Sequence, residues 1–189
     1  MRKLGTLLSL LALGSLVLVP QVTAAGTPLQ LRDTNGVLRQ PLAAEGNKAV
    51  VLIFIVNDCP ISNGYAPEIN RLCAGYAPKK IGFRLVSVDS GVPAAAIKQH
   101  AQQYGYRCPD LLDPDHTFVK FVGATVTPEV TVYGSDGKRL YQGRIDNKYA
   151  DFGKVRYAAT THDLQAALDS VVAGKPVPPT RAKAVGCAI

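Results

Sequence analysis

Two apolar periodicities alternate along this chain. Residues 49–56 (AVVLIFIV) are eight consecutive apolar positions rich in β-branched types. A run apolar on both faces suits a central strand covered on both sides, and it is too short to cross a membrane. From residue 60 the spacing changes. Ile61, Tyr65, Ile69, Leu72 and Tyr76 recur at intervals of four, four, three and four, which is one helical face. Pro67 lies inside that pattern and predicts a kink. Residues 83–89 read as a second strand, residues 93–103 as a helix opened by Pro93, residues 110–112 as a short strand and residues 113–123 as a short helix. Residues 129–133 and 138–144 flank Ser135-Asp136-Gly137 as a hairpin, and an opening hairpin is expected over residues 28–42 around Asn35-Gly36. A last helix is expected over residues 162–173, with Thr160 and Asp163 spaced like a capping pair and Gly174 as its stop. Strand–helix–strand–helix followed by a hairpin and a closing helix predicts an α/β fold, with a central mixed sheet flanked by helices.

The first segment follows a different logic. Arg2 and Lys3 precede a largely apolar run over residues 4–19, then Pro20 and the small residues Ala24 and Ala25. This three-part order is that of a secretory signal, with cleavage expected after Ala24 or Ala25. The competing reading, an uncleaved anchor, has about 16 apolar residues where a span needs about 20. The expected organisation is a signal over residues 1–25, one domain over 26–174 and an extended, proline-punctuated tail over 175–189. No stable membrane span is expected after cleavage, and the expected location is exported, periplasmic or secreted.

Composition narrows the function. Apolar residues make up 47% of the 189 and charged residues 19%, enough for a buried core. The absence of Trp argues against an aromatic stacking platform. Losing Arg2 and Lys3 takes the net charge from +7 to +5, with the remaining basic residues dispersed. No basic stripe marks a nucleic-acid partner. Four cysteines are too few for a disulfide-dense scaffold and too scattered for a zinc ribbon, and no cofactor or metal is implied. In an oxidising compartment they can pair.

The chemistry concentrates in Asp58-Cys59-Pro60-Ile61-Ser62. Cys59 stands where the buried strand gives way to the helix, beside unpaired backbone N–H groups that favour a thiolate, the nucleophilic form. Asp58 opposes a second negative charge. A reactive thiol here has to ionise more readily than free cysteine and to reach solvent. A cysteine that merely packs or pairs is the plain alternative.

These residues resemble the thioredoxin-like superfamily over residues 27–173. Cys59-Pro60-Ile61-Ser62 fills the slot of the family's C-x-x-C, Pro67 is the kinking proline five residues on, and Thr127-Pro128 fits its cis-proline before the late strand. Within the superfamily the chain looks most like exported redoxin and peroxiredoxin-like proteins. Three departures qualify that. Ser62 replaces the second cysteine, although its hydroxyl suits a hydrogen bond to the Cys59 sulfur. Val56 and Leu52 stand where peroxiredoxins carry threonine and proline. Ile53 stands where thioredoxins bury an acid. The resemblance implies thiol–disulfide exchange through Cys59, a substrate strand lying near Pro60 and Pro128 with hydrogen bonds from Thr127, and Arg144 as a candidate thiolate-stabilising group. Partners would be protein thiols and disulfides, or a peroxide, together with a reductant.

Cys73 lies 14 residues beyond Cys59, about 21 Å along a helix, so the two cannot bond. Cys73 and Cys108 both fall at the end of the domain remote from Cys59 and are expected to form a structural disulfide. Cys187 either rides on the tail to Cys59 as its resolving thiol, stays free, or pairs with another chain. The alternatives to an exported thiol–disulfide oxidoreductase are a thiol peroxidase resolved by Cys187 and a non-catalytic binding or metal-delivery module.

Overall fold

The computed structural model describes residues 29–179 and 182–189, so the expected signal lies outside the described residues. In chain order the elements are β1 (Leu31–Asp33), β2 (Leu38–Arg39), β3 (Ala49–Ile55), α1 (Pro60–Gly64), α2 (Ala66–Tyr76), β4 (Ile81–Ser87), α3 (Ala94–Gln103), β5 (Asp110–Leu112), α4 (Thr117–Val122), β6 (Val126–Thr127), β7 (Glu129–Gly134), β8 (Arg139–Gly143), β9 (Tyr149–Asp151), β10 (Lys154–Val155), α5 (Asp163–Val172) and β11 (Cys187–Ala188).

Seven strands form one mixed sheet in the order β2-β1-β5-β4-β3-β7-β8. The β3–β4 and β4–β5 pairs are parallel, while β7 runs antiparallel to β3 and β8 to β7. Burial of β3 follows from its sequence. Val51, Ile53 and Ile55 face one core with Ile69 and Leu72 of α2 and Leu164 and Leu168 of α5. Val50, Leu52 and Phe54 face a second core with Phe118, Val119 and Val122 of α4. A strand with helices on both faces has no polar side to present, which is why its residues do not alternate. Cys73 and Cys108 are joined by a disulfide across 35 residues. It ties the end of α2 to the segment entering β5.

Four expectations need correction. The single kinked helix over residues 60–76 is two helices that share Tyr65 as the cap between them. Pro67 falls in the first turn of α2, where its missing N–H leaves no bond unmade. The helix expected over 113–123 covers only Thr117–Val122, because the Asp113 carboxylate accepts from the N–H groups of Phe118 (3.1 Å) and Val119 (2.8 Å) and fixes the start. Thr160 does not cap α5. Its hydroxyl accepts from Asn147 Nδ2 at 2.8 Å instead, and His162 takes the cap position without a side-chain bond. Within the tail, residues 182–189 are docked rather than loose, with Ala184 buried and β11 paired antiparallel to β6.

Candidate active site

Cys59 ends the loop that leaves the C-terminal edge of β3. That loop is pinned from beneath. The Asn57 N–H donates to Asp89 Oδ1 at 3.0 Å, and Asn63 Nδ2 donates to the Asn57 carbonyl at 2.8 Å. Asn63 Oδ1 in turn meets His100 Nε2 at 2.8 Å. Burial is the main influence on both ends of this network, raising the Asp89 pKa and lowering that of His100. Pro60 opens α1 at the position where a backbone N–H is dispensable. Cys59 is thereby the N-terminal cap residue of α1.

The Cys59 sulfur accepts from the Ser62 backbone N–H at 3.4 Å, and as a thiol it donates to the Thr127 carbonyl oxygen at 3.2 Å. The Thr127–Pro128 peptide is cis, and both residues are buried. On the other side of Thr127 lies the tail, with Cys187 opposite Thr127 and Ala188 opposite Val126. The Ile189 N–H donates to the Thr125 carbonyl at 3.1 Å. Cys187 thus reaches the Cys59 sulfur through a strand pairing, and both cysteines are free thiols.

The two thiols are pulled apart electrostatically. Burial raises the Cys59 pKa, but donors to the thiolate outweigh it and leave the thiol below its ordinary value. Those donors are the Cys187 thiol, the Ser62 backbone N–H, the Ser62 hydroxyl and the Cys187 backbone N–H. The Ser62 hydroxyl is buried and bonded to no other group, so it is free to serve the Cys59 sulfur. Cys187 moves the opposite way, pushed up to about 12 by burial first, then by donating to Cys59 and by the negative charges of Cys59 and Asp58. The carboxylate at Asp58 acts here on Cys187. One proton shared across the pair therefore resides on Cys187.

The exposure expected of Cys59 is not found. Cys59 is 1% exposed in this tail-docked state. Arg144 is also placed differently from the expectation. Its guanidinium is paired with Asp163, with Nε to Oδ2 at 2.7 Å, so it is committed to α5. Its backbone N–H instead holds the tail through the Ala182 carbonyl at 3.3 Å. The His116 Nε2 lies 2.8 Å from the Val88 carbonyl oxygen, a backbone contact. Glu68, Asp146 and His162 bring ligand atoms within 4.8 Å of one another. Glu68 is already forked onto Arg71, and Asp146 accepts from the Tyr65 hydroxyl at 2.6 Å, so these carboxylates have partners.

Two contributors carry no obvious sequence signal. Tyr149 packs against Tyr65 with the rings tilted by 50° and their centroids 5.1 Å apart, and burial first, then the Cys59 charge, raise its pKa. Gly186 lies so close to the cis-proline loop that an added Cβ would sit 2.0 Å from the Thr127 carbonyl oxygen and 2.6 Å from its carbon. Its one sequence signal is a glycine directly before the tail cysteine. A cleft of about 310 Å³ runs beside this contact, lined by Val56, Asp58, Asp89, His116, Thr127 and Ile189.

No protein-family model matches the chain, and no curated protein matches it in sequence. Solved structures do. A hypothetical protein from Sinorhizobium meliloti is 26% identical, with 85% of this chain and 89% of that one aligned at a TM-score of 0.76. An uncharacterized conserved protein from Geobacillus kaustophilus is also 26% identical, covering 86% and 88% at a TM-score of 0.72. A secreted Mycobacterium tuberculosis disulfide oxidoreductase homologous to E. coli DsbE is 18% identical, covering 78% and 96% at a TM-score of 0.53. At that identity the last likeness is one of fold. Together with the sheet order and the cis-proline facing the cysteine, it gives this chain the thioredoxin-like fold.

Proposed function

We propose that this thioredoxin-like chain is an exported thiol–disulfide oxidoreductase in which Cys59 attacks and Cys187 resolves. One observation carries the reading. The Cys59 sulfur lies between the Ser62 N–H and the Thr127 carbonyl, while the second thiol is held opposite Thr127 by a strand pair. The Cys59 thiolate attacks one sulfur of a partner disulfide. A Cys59–partner bond forms, the partner's own S–S bond breaks, and the leaving thiolate takes a proton from solvent. With Cys59 now neutral in a mixed disulfide, the part of the Cys187 pKa rise that comes from the Cys59 thiolate is removed, while the larger part from burial falls only as the tail moves. Cys187 loses its proton, attacks the Cys59 sulfur and releases the second partner thiol. The partner gains two electrons and the Cys59/Cys187 pair loses them. A separate dithiol reductant restores the pair, and the same steps in reverse oxidise a partner dithiol.

Exchange is preferred to peroxide reduction on two grounds. Val56 and Leu52 offer no hydroxyl to orient a peroxide, and the Arg144 guanidinium is taken by Asp163. The Cys73–Cys108 disulfide suits an oxidising compartment, which supports export. The test is trapping. Cys187→Ala incubated with a disulfide-bonded protein substrate is expected to accumulate a mixed disulfide at Cys59, while the unmodified chain passes through it. A Cys187→Ala protein that forms no adduct would overturn the reading.

A further inference from the structure

The strand that brings Cys187 to the site also closes it. β6 is two residues long, and in the described structure its pairing partner is β11 of the tail. The thiol that must meet a partner is 1% exposed beneath that pairing. A partner disulfide cannot approach Cys59 along Thr127 while Gly186 occupies the same carbonyl. The tail's hold is modest. It rests on a two-residue strand, the Ile189 N–H to Thr125, the Arg144 N–H to Ala182, the buried Ala184 and the partly buried Val185, Cys187 and Ile189. Short edge pairings of this kind open at low free energy.

We propose that the chain's own tail is a displaceable surrogate for the substrate strand that the family resemblance lays along Thr127, so that the tail must leave the Val126–Thr127 edge before a partner disulfide reaches Cys59. The inference rests on the thiol-exchange reading above and adds to it a regulation of the site and an order of events. A partner strand lifts the tail, pairs with Thr127 and presents its disulfide to Cys59. Lifting the tail takes the Cys187 donors away and leaves the Ser62 N–H and hydroxyl to hold the Cys59 thiolate. When the tail returns it delivers Cys187 and takes back the edge, so resolution of the mixed disulfide and expulsion of the product strand are one movement. Two strands compete for one row of backbone groups, as in strand addition to a sheet edge.

The tail also shows what the edge accepts. The position before the cysteine must be glycine for so close an approach, because an added Cβ would meet the backbone of Thr127 and the nitrogen of Pro128 rather than a yielding side chain. The flanking positions are apolar, Val185 packing toward one core and Ile189 toward the other. The partner segment is therefore extended, with glycine before the reacting cysteine and apolar residues on either side of that pair.

The test uses two full-length proteins. Cys187→Ser keeps the tail docked without its thiol. Gly186→Val with Cys187→Ser adds a Cβ that the Thr127 carbonyl cannot accommodate. The probe is the peptide Val-Gly-Cys-Ala-Ile carrying thionitrobenzoate on its cysteine, and the readout is attachment of the peptide to Cys59 by mass. The undocked protein is expected to react at least about tenfold faster, the scale set by losing one or two net backbone hydrogen bonds. Replacing the peptide's glycine by alanine is expected to slow that reaction. Equal rates in the two proteins would overturn the displacement proposal and leave thiol exchange standing. Failure of the peptide to attach to either protein would instead overturn the exchange reading. Should the valine variant not fold, hydrogen exchange on the Cys187→Ser adduct decides. Loss of amide protection at residues 187–189 on peptide attachment supports displacement, and unchanged protection contradicts it.

Discussion

At Cys59 burial opposes ionisation and directed donors favour it. The donors prevail because they aim at one atom, the first of them the Cys187 thiol. The rate of Cys59 modification by a small alkylating agent is therefore expected to rise with a midpoint below the ordinary thiol value of 9.0. Because the folded pKa is lowered, the thiolate persists to more acidic pH than in a free cysteine. Cys187→Ala removes the first donor, so the midpoint moves up toward that ordinary value. A pH–rate profile of single-cysteine labelling checks both; an unmoved midpoint in Cys187→Ala would mean that Cys187 does not stabilise the thiolate. Cys187 itself, pushed up to about 12 first by burial and then by Cys59, stays protonated while Cys59 ionises. The residue that resolves is thus kept from competing with the residue that attacks.

Among the elements, β3 and the helices against it carry the stability, and their signals were strong. Leu164 of α5 is fully buried against the β3 face. Leu164→Ala is expected to cost about 2–5 kcal/mol, read as a lower denaturation midpoint. The eight-residue apolar run, the helical face from Ile61 to Tyr76 and the hairpin around Gly137 were legible because each repeats a local pattern several times. Cys59 and Pro128 were legible through position, one at a strand-to-helix junction and the other just before a strand. The β6–β11 pair left no such trace. Two-residue strands have no alternation to read, and their pairing joins residues about sixty apart in sequence. The division of residues 60–76 into two helices was hidden for a related reason, since both halves present the same face to the core. The role of Arg144 could not be read either, because Asp163, its partner, lies in a separate element.

Across the whole molecule the two pairs of cysteines sit at opposite ends of the sheet and divide the work. Cys73–Cys108 closes a 35-residue span far from Cys59. Replacing both by serine is expected to lower stability by about 3 kcal/mol while leaving the labelling midpoint of Cys59 unchanged. The fold also stores a pH dependence in β5. Asp110 is pushed up to about 7, first by burial, with its Oδ1 accepting from Ser87. A folded state that holds this proton more tightly than the unfolded chain loses stability as pH rises from about 4 to about 7. Asp110→Asn should flatten that limb in denaturation curves taken across the window. The most direct measurement of the central claim is a disulfide map after one turnover. The chain is prepared with Cys73–Cys108 intact and Cys59 and Cys187 reduced, given one equivalent of a disulfide-bonded protein, quenched in acid and digested. The expected result is a Cys59–Cys187 bond, a reduced substrate and an untouched Cys73–Cys108 bridge. Oxidised product with Cys59 still a free thiol, or with Cys59 joined to Cys73 or Cys108, would contradict it.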